Sequence, residues 1–92
     1  MIPLSRVMPE AIADVLRRAP LTAEKVAFSW RTAVGSAVDK VTAVELHDGV
    51  LYVRARDAAW QREIERSAAL IRARLEALLG ERVVRRIEVT RL

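Results

Sequence analysis

One side chain in this chain of 92 residues has the chemistry of a base near neutral pH: His47, flanked by Glu45 and Asp48. General acid–base catalysis needs further polar groups converging on the same point, and none is in sight. A lone histidine beside a turn is ordinarily solvated and idle, so replacing it with alanine should change nothing. Ser5, Ser29, Ser36 and Ser67 lack the strand-turn-helix context of a nucleophile elbow. Gly35, Gly49 and Gly80 are too far apart to form a phosphate-cradling loop. The absence of cysteine excludes disulfides, thiolate zinc sites and thiol catalysis, and no His/Asp/Glu spacing suggests a metal centre. The expectation is a protein that is not an enzyme, with no cofactor and no small-molecule substrate.

Binding chemistry is better represented. Trp30 and Trp60 could stack on bases, but both sit on the apolar stripes of their helices, where tryptophan is usually core. Arginine outnumbers lysine fourteen to two. Residues 1–53 are neutral, with six basic and six acidic side chains. Residues 54–92 hold ten arginines against six acids, and that difference is the whole net charge of +4. A basic half suits a polyanion or an acidic protein surface, and the guanidinium fork suits phosphate or carboxylate. The candidate contacts are Arg54, Arg56, Arg62, Arg66, Arg72, Arg82, Arg86 and Arg91. With acids interspersed, a solvated charged face is the plainer reading. Arg54 and Arg56 escape it best, standing together on the outer face of a strand with only Asp57 adjacent.

The elements that must hold these residues begin with a hairpin. VTAVELHDGVLYVRA places apolar residues at alternate positions on both sides of Asp48-Gly49, the favoured dipeptide of a two-residue turn. That turn pairs His47 with Val50, Leu46 with Leu51, Val44 with Val53 and Thr42 with Ala55. It puts Thr42, Val44, Leu46, Leu51, Val53 and Ala55 on one buried face, and Glu45, Tyr52, Arg54 and Arg56 on the other.

Upstream, Ser5 can cap a first helix carrying Ile12, Val15, Leu16 and Ala19, stopped by Pro20. Thr22 caps a second, with Val26, Trp30, Ala33, Val34 and Ala37 on one face. There Gly35 either ends the helix or permits close packing. Downstream, Asp57 caps one long helix in which Trp60, Ile64, Ala68, Ile71, Leu75 and Leu78 recur at helical spacing. Arg62 can pair with Glu65 and Arg72 with Glu76, and Gly80 closes the helix. ERVVRRIEVTRL then alternates as a third strand with Val83, Ile87 and Val89 inward, although Arg85 falls on the inward set.

The expected class is α+β: two helices, a hairpin, a long helix and a third strand, forming a three-stranded sheet with helices on one face, in a single domain over 1–92. The third strand can lie parallel to the second or pass over to the first, and the latter is preferred. No apolar run reaches the roughly 20 residues of a membrane span or forms a signal-peptide core, so a soluble, cytoplasmic protein without membrane contact is expected.

The run WRTAVG (Trp30 to Gly35), then LHDGVLYVRARDAAWQREI (Leu46 to Ile64), then LEALLGERVVRRIEV (Leu75 to Val89) resembles the DciA family of bacterial replication proteins. The carriers are Trp30 and Gly35, Asp48-Gly49 with Leu51 and Val53, Asp57, Trp60, and Leu79-Gly80 with Val84 and Ile87. The resemblance spans about residues 8–91. It implies a KH-like domain, without catalytic activity, that interacts with the replicative DNA helicase and helps place it on single-stranded DNA, which it binds weakly. Family members commonly carry a flexible basic extension, and these 92 residues include none. The GxxG clamp of KH domains proper is also missing, so that mode of nucleotide binding is not implied. Without the resemblance, the residues alone fit a general protein-interaction or RNA-associated module using a basic strand or helix face.

Overall fold

In a computed structural model of the chain, the residues described are 11, 15 and 18–92. The expected first helix, with its Ser5 cap and its Ile12 and Leu16 stripe, therefore lies almost wholly outside them. Helix α1 (Ala23–Val34) is capped by Thr22, whose Oγ1 accepts from the Lys25 backbone N–H at 3.1 Å. It ends at Gly35, whose φ of 88° opens a conformation that a side chain would disfavour. That resolves the role of Gly35. A single helical turn, α2 (Ser36–Asp39), follows, so Ala37 leaves the α1 stripe and is exposed.

Strands β1 (Thr42–His47) and β2 (Val50–Ala55) form the hairpin in the register expected from a two-residue loop. Asp48 (φ 47°) and Gly49 (φ 79°) supply the two left-handed conformations such a turn requires.

Two expectations are overturned downstream. The long helix is two helices, α3 (Ala58–Arg66) and α4 (Ala68–Leu79), divided at Ser67. Ser67 leaves the helical region with φ −98° and ψ 3°. Its N–H is shared between the carbonyls of Glu63 (3.2 Å) and Ile64 (3.1 Å), while Ile71 donates to the Ser67 carbonyl at 3.0 Å. One turn thus tightens without interrupting the chain of hydrogen bonds. Because a single residue intervenes, the apolar phase survives, and Ile64, Ile71, Leu75, Leu78 and Leu79 are all buried.

The third strand, β3 (Arg86–Arg91), is parallel to β2 and beside it, not beside β1. Its neighbours put Ile87 next to Leu51 and Val89 next to Val53. A crossover through α3 and α4 into the adjacent parallel strand needs no passage over β2. The order β1-β2-β3 makes β2 central, which explains why Leu51, Val53 and Ala55 are fully buried. Thr42, Val44 and Leu46 on the edge strand β1 are only half-buried. The strand also starts later than the alternation suggests. Val83 lies half-buried in the turn before it, Val84 is buried, and Arg85 is turned outward and exposed.

The helices cover one face of this mixed sheet. Trp30, 1 % exposed, anchors them: its Nε1 donates to Thr42 Oγ1 at 2.9 Å, and that hydroxyl donates in turn to the Val38 carbonyl at 2.9 Å. One hydrogen-bonded chain therefore ties α1, α2 and β1. Trp60, Val44, Leu46, Ile87 and Val89 are partly buried and pack against the central cluster.

Candidate nucleic-acid interface

The eight singled-out arginines are exposed, but the fold does not gather them into one patch. Two fall together. Alternation and register place Arg54 on the open face of the sheet, one residue from the end where Thr42, Ala55 and Arg91 lie side by side. Arg56 follows directly, its N–H donating to the Val41 carbonyl at 2.9 Å. Arg54 and Arg56 thus lie together at the carboxyl end of β2, while Arg91, in register with the inward-facing Ala55, leaves the helix-covered face. The others are scattered. Arg62 and Arg66 stand on α3, where Arg66 reaches Glu63 at 3.6 Å. The expected pairs Arg62–Glu65 and Arg72–Glu76 do not form among the described residues. Arg72 and Arg82 line a shallow cleft of about 360 Å³ with Glu76, Glu81, Val84 and Arg85.

The open face of the sheet is balanced. Arg86 pairs with Glu88 at 3.0 Å, and His47 Nε2 lies 2.6 Å from Glu45 Oε1. Tyr52, 39 % exposed, sits between the two acids in the cross-strand row Glu45, Tyr52, Glu88 and meets the His47 ring at 6.2 Å with a 55° tilt. Its ring is a stacking surface, but two carboxylates flank it, which disfavours a phosphate chain there. Trp60 contributes no such platform, since it packs against the core.

At the cationic end the local acid is Asp57. Its Oδ1 accepts from the Trp60 backbone N–H at 2.9 Å as the N-cap of α3. That bond, with the charge of Arg56 beside it, holds its carboxyl below the usual carboxylate range. The Arg56–Asp57 ion pair, at 3.6 Å between exposed side chains, is weak enough to leave Arg56 available. No group of three or more His, Cys, Asp or Glu among the described residues is placed to hold a metal ion.

Two features were missed at the sequence level. Lys40, exposed and two residues before β1, joins the same end of the sheet through chain continuity with Val41 and Thr42. Arg85, which alternation would turn inward, folds over the hairpin tip: its Nη2 donates to the Asp48 carbonyl at 2.6 Å and its guanidinium covers Gly49. Neither carries a local signal, because both depend on which strands become neighbours.

Two apolar clefts also lie among the described residues. The larger, about 530 Å³, runs between the start of α1 and the β1 edge and is lined by Leu21, Val26, Val44, Leu46 and Val83, with acids at its rim. The smaller, about 190 Å³, lies at the Ser67 break beside Val34, Val38, Ile64 and the 55 % exposed Leu70.

The family model described as "Dna[CI] antecedent, DciA" matches residues 3–89, nearly the entire fold. The chain belongs to the DciA family. That family is associated with loading of the replicative helicase, so this DciA-family chain has a general role in DNA replication. A search of curated proteins returned no match. No helix among the described residues of this DciA domain is long and apolar enough to cross a membrane.

Proposed function

We propose that this protein is a replication adaptor that binds the bacterial replicative helicase and assists its placement on single-stranded DNA, which it contacts weakly through its basic half. The observation that carries the reading is the family match across residues 3–89, which takes in every described element except the last two residues of β3. The charge distribution supports it: the half that contributes α3, α4 and β3 holds the entire net positive charge. The protein's task is then to hold two macromolecules in reach of each other, and its affinity for each need only be modest. A KH-like description suits the order of elements, but the place between α3 and α4 holds the single residue Ser67, too short for a nucleotide-clamping loop.

The deciding experiment is a pull-down with the replicative helicase of the same organism. Complex formation at micromolar concentration is expected, and its absence there sinks the helicase part of the reading. Binding of a labelled oligothymidylate should weaken steeply and linearly on a log–log plot against salt. A flat response sinks the DNA part.

A further inference from the structure

We infer that the outer edge of β1, with the apolar groove beside it, docks an extended segment of a partner protein, a strand with apolar residues at alternate positions and lysine or arginine between them. This surface lies in the neutral half and stands apart from the DNA reading.

The hydrogen-bond alternation leaves that edge open. The Arg56 N–H donates to the Val41 carbonyl at 2.9 Å, so in this antiparallel pair Ala43, Glu45 and His47 turn their backbone groups toward β2. Val44 and Leu46 turn theirs outward, where no strand among the described residues pairs with them. The far edge of the sheet is guarded. There the Leu92 N–H reaches back to the Ala55 carbonyl, which by alternation aims the Val89 carbonyl outward, and Gln61 of α3 donates to it at 3.3 Å. Strand β3 also carries Arg86, Glu88 and Arg91, charges of the kind that discourage strand pairing, whereas β1 has no proline and, besides His47, only Glu45.

The groove gives the same edge a side-chain preference. Val44 and Leu46 lie opposite the buried Val53 and Leu51, so their side chains face the helices, and there they line the cleft of about 530 Å³ with Leu21, Val26 and Val83. Leu21 is an exposed apolar side chain. A strand added to β1 would alternate in phase with it, sending every second side chain into this groove. The intervening side chains would lie beside Ala43, Glu45 and His47 on the open face. Glu45 is central in that row, so a lysine or arginine set across from it gains a cross-strand ion pair, and a neutral His47 leaves the carboxylate its charge. Asp48 adds a second acid at the hairpin end of the groove. A second copy fits less well. A two-fold pairing of β1 edges sets the same acidic rim against itself, and the register that matches Val44 with Leu46 brings Glu45 opposite its own mate.

The test uses the full chain, isotopically labelled for amide hydrogen exchange by NMR, and two short blocked peptides, one alternating valine with lysine and the other valine with glutamate. Without peptide, the Val44 and Leu46 amides should exchange rapidly. Saturating lysine peptide should slow both by about tenfold or more and shift their resonances, while Ile87 and Val89 on the far edge stay unchanged. The glutamate peptide should bind several-fold more weakly, and Glu45→Lys should reverse that preference. Leu21→Ser, at an exposed position, should weaken binding several-fold and leave the melting temperature within a few degrees of the parent. Equal binding of the two peptides, unchanged binding by Leu21→Ser, or no protection of Val44 and Leu46 each overturns the inference. So does protection of those amides without peptide, which would put the chain's own residues on the edge or, where it grows with concentration, a second copy. Neither helicase nor DNA enters the test, so the readings above stand or fall separately.

Discussion

Thr42 shows how much one side chain can carry in a chain this small. Its hydroxyl accepts from the buried Trp30 indole and donates to the Val38 carbonyl, so removal orphans a donor inside the core. Thr42→Val keeps the shape and β-propensity but leaves the indole N–H unpaired, and should cost about 1–3 kcal/mol in chemical denaturation. Ser29 is the converse. Its Oγ is fully buried on α1 and has no hydrogen-bond partner among the described residues, so Ser29→Ala should leave the melting temperature unchanged or raise it. Asp57 supplies the pH dependence. Its folded-state pKa is depressed below 3.8, so its stabilisation is fully present above the unfolded value and is lost as pH falls through the lower folded one. Asp57→Asn, an alternative cap without a charge, should flatten the stability profile over that acidic window while preserving helix α3 near neutrality. Thermal melts from pH 2 to 5, followed by circular dichroism, would show it.

At the scale of elements, the hairpin tip is coupled to the approach of β3. The Gly49 carbonyl accepts from the backbone N–H groups of Arg85 (2.7 Å) and Arg86 (3.2 Å), while the Arg85 side chain lies over the glycine. Gly49→Ala should therefore destabilise through two causes: a positive φ that alanine disfavours and a clash with the guanidinium. Adding Arg85→Ala should relieve the second cause only. The double variant should then be less destabilised than the sum of the singles, read from a double-mutant cycle.

The hairpin itself was legible because alternation and a two-residue turn specify register together. The break at Ser67 was not, because one intervening residue leaves the apolar phase of Ile64, Ile71 and Leu75 intact. The neighbour of β3 was not legible either: Ile87 and Val89 face the core whichever strand they join.

For the molecule as a whole, charge placement matters more than the net value of +4. Arg54→Glu with Arg56→Glu should weaken single-stranded DNA binding far beyond the effect of the same change at Arg62 and Arg66. Both pairs should melt within a few degrees of the parent, because exposed charges contribute little to folding. The match to the DciA family covers residues from both halves, the neutral one with α1 and the apolar cleft beside β1 included.

The central position of β2 also imposes an order in time. Its partner β1 is two residues away along the chain, but β3 is synthesised only after thirty intervening residues. Until then β2 is an open edge carrying Leu51 and Val53, the kind of edge that invites wrong partners. That edge closes only when β3 docks. A molecule partially made or partially unfolded at β3 would therefore bare the apolar centre of its own sheet, which makes the docking of that strand the step that guards against aggregation.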